Sequence, residues 1–101
     1  MISSLTLEQR FQMLADTWRK ECMHISSSTQ RAMHPAYQQI IGLGPDAVPI
    51  LLRDLQREPD HWSWALRAIT GQNPIKDEHR GNLTLVAQDW IGWGKENGYL
   101  P

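Results

Sequence analysis

At 101 residues the chain has room for one folded domain with a single core, and its 41% hydrophobic and 21% charged content excludes a disordered tail. Ten basic and eleven acidic side chains nearly cancel, so no global field draws the protein to nucleic acid or to an anionic membrane, and any such binding needs a local patch. Cys22 is the only cysteine, which excludes an internal disulfide and fits a reducing cytoplasm.

The opening MISSLTLEQRF lacks the basic start and apolar core of a signal peptide, and no run approaches the roughly 18 apolar residues of a membrane span. A cytoplasmic protein that does not enter membranes is expected. Thr6, with Gln9 three residues on, offers a capping box, and Leu7, Phe11, Leu14, Trp18 and Cys22 recur on one helical stripe. This predicts an amphipathic helix over 7–23. The hydroxyl run Ser26, Ser27, Ser28 and Thr29 competes for backbone hydrogen bonds and predicts a turn.

Pro35 suits the first turn of a second, short helix whose apolar side is Tyr37, Ile40 and Ile41 and which Gly42 and Gly44 stop. A third helix restarts at Pro45, with Asp46 at its positive end, and carries the stripe Val48, Leu51, Leu52 and Leu55 through Arg57. Pro49 in its second turn is expected to bend or loosen that start. Asp60 is placed as the cap of a fourth helix closed by Gly71. On it Trp62, Ala65, Leu66 and Ile69 share one face, and Trp64 and Ala68 point to the other. Residues 72–81 form a polar loop. A fifth helix starts near Asn82 with Leu83, Val86, Ala87, Trp90 and Trp93 on one face, Gly98 ends it, and Tyr99 can fold back on Trp93.

The segment IIGLGPDAVPILLRDL resembles half of a HEAT-type repeat, in which a short helix, a Gly-Pro-Asp turn and a second helix with an early proline stack as an antiparallel pair. The wider stretch from HPAYQQ to GQNPI, with the closing WIGWGKENGY, resembles a group of small uncharacterised bacterial proteins, which brings no activity with it. No second copy stands at a period of about 40 residues, so the resemblance implies a single HEAT-like hairpin inside one all-α domain of four or five helices over 1–101.

Motifs for catalysis or phosphate binding are absent: the chain has no Walker loop, no dinucleotide fingerprint, no nucleophile elbow and no zincin helix. Gly42-Leu43-Gly44 lies between helices and reads as a turn. The histidines His24, His34, His61 and His79 are scattered. Cys22 with His24 supplies one thiol and one imidazole, short of a tetrahedral metal site, so neither metal nor cofactor is expected. Asp54 and Glu58, with Arg53 and Arg57 beside them, read as mixed charge on a solvated helix face, and Asp77 with Glu78 as a loop.

Trp18, Trp62 and Trp90 lie centrally on their stripes and read as core, whereas Trp64 is a candidate anchor for a partner. The segment 26–39 adds Arg31, His34, Tyr37 and Gln38, able to hydrogen-bond a partner's backbone. Together with His61 and Trp64 these residues form the expected protein-binding surface of a non-catalytic interaction module, an adaptor, an inhibitor or a neutralising partner of another protein. The alternative is a nucleic-acid-binding regulator using Arg19, Lys20, Ser28 and Arg31. A third reading assembles an enzyme site from His34, Tyr37 and His61, but no catalytic motif accompanies them.

Overall fold

Thr6 opens the first helix through a complete capping box: its hydroxyl accepts from Gln9 N at 3.1 Å and its own N–H donates to Gln9 Oε1 at 2.9 Å. The structure, a computed structural model, describes residues 5–101. The leader-free reading of the start of the chain falls partly on residues 1–4, outside the described ones. Helix α1 spans Leu7–Cys22, α2 Ser28–Met33, α3 Pro35–Gly42, α4 Val48–Arg57, α5 Ser63–Thr70 and α6 Leu83–Glu96, with 3-10 turns at Pro45–Ala47 and Asp77–His79. No strand occurs among the described residues, and the fold is all-α. No helix described is long and apolar enough to cross a membrane.

Helix α2 departs from the sequence expectation of a turn at Ser26, Ser27, Ser28 and Thr29. Ser27 caps it, accepting from Gln30 N at 3.3 Å. Six residues are too few to show a period and too few to hold a helix alone in water. Tertiary contacts hold it: Ala32 is buried, and the carbonyl of Arg31 accepts the indole N–H of Trp18 at 2.9 Å. Pro49 brings a second correction. The expected long third helix is divided into a 3-10 turn and α4, which begins at Val48, so Pro49 falls in the first helical turn, where its missing N–H costs nothing.

Helix α1 lies across α3, α3 packs on α5, and α4 packs on α6. Gly94 lets α6 lie tightly on α4, since a Cβ there would stand 2.7 Å from Leu52 Cδ1. The chain after α6 folds back over the same point, since the N–H groups of Tyr99 and Leu100 both donate to Gly94 O. Tyr99 stacks on Trp93 with ring centroids 5.2 Å apart.

Four aromatics make the centre. Trp62 stands 4.6 Å from Trp18, 5.3 Å from Phe11 and 5.5 Å from Tyr37, ring centroid to centroid. Trp18, Trp62 and Trp90 are fully buried, and each indole N–H has an acceptor: Arg31 O, Asp54 Oδ2 and Ser63 Oγ respectively. Cys22 is buried at the end of the α1 stripe, and burial raises its thiol pKa, which disfavours the thiolate.

Asp54 overturns its sequence reading. It is not on a solvated face but buried, with 4% of its surface exposed. Its carboxylate accepts from Trp62 Nε1 at 2.7 Å, Arg19 Nη2 at 2.6 Å and Arg57 Nη2 at 2.5 Å. A carboxylate is stable inside a protein only when so surrounded by donors and countercharge. Asp60 is likewise not the cap of α5, which starts three residues later without a side-chain cap; its Oδ2 accepts from Arg19 Nε at 2.8 Å.

Candidate functional site

Helix α5 carries apolar residues on two faces, but only one of them is covered. Ala65 and Leu66 are buried with Trp62, while Trp64, about 200° round the helix from Trp62, is 43% exposed. Its indole borders a cleft of about 540 Å³ between α5 and the segment 73–86. Two devices shape this cleft. On one side the phenol of Tyr37 donates to His61 O at 2.8 Å and accepts from Ala65 N at 2.9 Å, which fixes the entry into α5. On the other, Asp89 of α6 ties down the 72–82 loop, its Oδ2 accepting from Lys76 N at 3.1 Å and from His79 Nδ1 at 2.8 Å. Burial alone raises the Asp89 carboxyl pKa, but the His79 and Lys76 contacts outweigh it and hold it below the ordinary carboxylate value. Arg80 and Asn82, at the end of the tethered loop, line the cleft together with Trp64 and Arg67.

The expected site residues divide into two groups. Ser28, Tyr37, His61 and Trp64 line the cleft together. Tyr37, expected as a surface residue, is 1% exposed, and burial raises its phenol pKa well above the ordinary value. It forms a wall and makes no free contact. Burial, followed by the charge of Arg31, lowers the pKa of His61, so the imidazole is uncharged at neutral pH. The remaining residues are committed elsewhere. His34 Nδ1 accepts from Ala36 N at 3.0 Å and caps α3, while Nε2 pairs with Glu21 at 2.8 Å. Gln38 donates to Ala32 O at 2.7 Å and closes α2, and Arg31 donates to Ile25 O at 2.6 Å. Arg19 lies between Asp54 and Asp60 with its guanidinium 5.6 Å from the Trp62 ring, and although burial works against the charge, the two carboxylates raise its pKa. Lys20 is exposed but is left without Arg19 as a neighbouring free cation.

Arg67, Arg80 and Asn82 line the cleft and are absent from the sequence-derived set. Arg67 was within reach, since it stands i+3 from Trp64 and such residues share a helix face. Arg80 carries no signal in a plain polar loop, and Asn82 reads in the sequence only as the start of a helix, which it caps. Among the described residues no group of His, Cys, Asp or Glu side chains comes together that could hold a metal ion.

Tyr37→Phe tests the shape of the cleft. Removing the hydroxyl leaves Ala65 N without its bond, and the expected cost is about 1–3 kcal/mol of unfolding free energy in urea titrations. A change under about 0.5 kcal/mol would mean that the phenol does not brace α5.

Comparison with known proteins returns no matching family model, no matching curated protein and no matching solved structure.

Proposed function

We propose that this protein is a non-catalytic interaction module of the bacterial cytoplasm, an adaptor, inhibitor or neutralising partner, which docks another protein at the Trp64 cleft. One observation carries the reading. Trp18, Trp62 and Trp90 are fully buried, whereas Trp64 leaves 43% of a large amphipathic side chain at the mouth of a concave, braced surface. Tryptophan, with tyrosine and arginine, is enriched among the residues that anchor protein interfaces. The helix, Gly-Pro-Asp turn and proline-bearing helix of residues 35–57 serve, in this reading, as a HEAT-like scaffold, supported by the order of α3, the 3-10 turn and α4.

The other two readings lose their leading groups. A nucleic-acid patch needs Arg19 free, and it is spent on two carboxylates. An enzyme site from His34, Tyr37 and His61 needs side chains that are not already bound, and the first two are committed to helix ends.

Trp64→Ala is the test. A half-exposed indole contributes little to the core, so the expected fall in melting temperature is a few degrees, about 1 kcal/mol or less. A partner captured from the native host, then purified, is expected to bind the variant more than about tenfold more weakly, about 1.4 kcal/mol. Unaltered binding, or unfolding as severe as that of Trp62→Ala, would remove the anchor from the proposed interface.

A further inference from the structure

The Trp64 cleft has a charge balance that the whole-chain value of -1 conceals. Its lining holds one carboxylate, Asp60, and both oxygens of that group are engaged, Oδ1 by His61 N at 2.8 Å and Oδ2 by Arg19 Nε at 2.8 Å. Against it stand two arginines. Arg67 is exposed and makes no ion pair among the described residues. Arg80 pairs with Asp77 at 3.1 Å, but both side chains are open to solvent, so water and salt screen the pair and an incoming carboxylate can replace Asp77 at little cost. His61 adds a hydrogen-bonding group without charge at neutral pH. The cleft is therefore cationic, and its built-in carboxylate is already neutralised from outside.

The same surface is apolar between its charges. Ile75, Leu83 and Val86 line it beside the Trp64 indole. A second hollow of about 400 Å³, bordered by Gly71 and Gln72, shares Trp64, Arg67 and Asn73 with the first. Trp64 and Arg67 thus border both hollows, at the boundary that an extended chain would cross.

We propose that the occupant is an acidic peptide segment of the partner protein, which brings Asp or Glu side chains to Arg67 and Arg80 and an apolar or aromatic side chain to Trp64. This rests on the docking reading above and names the chemistry of its partner. Arginine suits the role because its planar fork grips a carboxylate with two parallel hydrogen bonds. A nucleic-acid strand fits less well. Its charge repeats along its whole length, whereas the cleft offers two cations and the second hollow has none besides Arg67.

The experiment is a selection of short random peptides displayed on phage, panned over the immobilised full chain, with Trp64→Ala and the double variant Arg67→Glu, Arg80→Glu in parallel. Circular dichroism and melting curves establish that the double variant folds, as expected for two exposed side chains. Enriched peptides are expected to carry net negative charge and at least one aromatic or large aliphatic residue. Their synthetic versions are expected to bind the double variant more than about tenfold more weakly, about 1.4 kcal/mol, and to lose affinity as salt is raised. Neutral or basic peptides that still depend on Trp64 would overturn the acidic occupant and leave the docking reading standing. An absence of any peptide dependent on Trp64 would overturn both. A single-stranded oligonucleotide that binds more tightly than every selected peptide, and is lost in the double variant, would replace the acidic peptide with nucleic acid.

Discussion

Trp62→Ala is expected to remove about 3–5 kcal/mol of stability, measured as the free energy of unfolding in urea. Trp62 is fully buried and touches the rings of Phe11, Trp18 and Tyr37, so it joins α1, α3 and the start of α5 at one point. Truncation leaves a cavity bordered by three rigid rings that cannot collapse into it. It also strips Asp54 of a donor at 2.7 Å. A small domain has about 5–15 kcal/mol in total, so the variant is expected to be partly unfolded at room temperature or to melt well below the wild type. A loss under about 1 kcal/mol would place Trp62 outside the core. The contrast with Trp64, two positions on, makes the pair informative: one helix end supplies both the centre of the fold and the proposed docking anchor.

Asp54→Ala is expected to cost about 3 kcal/mol, again by urea unfolding, and the components differ in weight. The Trp62 N–H is fully buried and loses its acceptor, which costs about 1–3 kcal/mol. Arg19 loses one of two carboxylates and keeps Asp60, and Arg57, which is largely exposed, loses a partner that solvent replaces. Asp54→Asn is expected to be milder, because the amide oxygen still accepts from Trp62. If Asp54→Ala costs under about 0.5 kcal/mol, the carboxylate is no better placed than an exposed one. Combining Asp54→Ala with Trp62→Ala is expected to cost less than the two single losses added together, since both delete the same hydrogen bond.

These residues also show how far the sequence reaches. The α1 stripe, the Thr6 capping box, the Gly71 cap with φ 71°, and the stacking of Tyr99 on Trp93 follow from local rules, because each depends on residues a few positions apart. The split between Trp62 and Trp64 was legible as a question, since the helical period sets them on opposite faces but does not say whether one face or both are covered. Asp54 was misread for the same reason. Beside Arg53 and Arg57 in the chain it resembles a surface charge, and the buried face it occupies is set by Arg19 and Trp62, 35 and 8 residues away.

Leu83, expected on the apolar face of the last helix, is exposed, whereas the helical class, five of the six helices among those described, the wholly buried stripe Val48, Leu51, Leu52 and Leu55 of α4 and the three core tryptophans were legible in the sequence. These are short-range matters of period, capping and hydrophobic burial. Only the packing of the helices settles that a six-residue helix forms at Ser28–Met33, that His34 and Gln38 serve as helix caps, and that Arg67 and Arg80 line one cleft. The physical reason is that a hydrogen bond or an ion pair between distant segments depends on how the helices pack. Packing is the sum of many weak side-chain contacts, of which no single stretch of sequence holds more than one side.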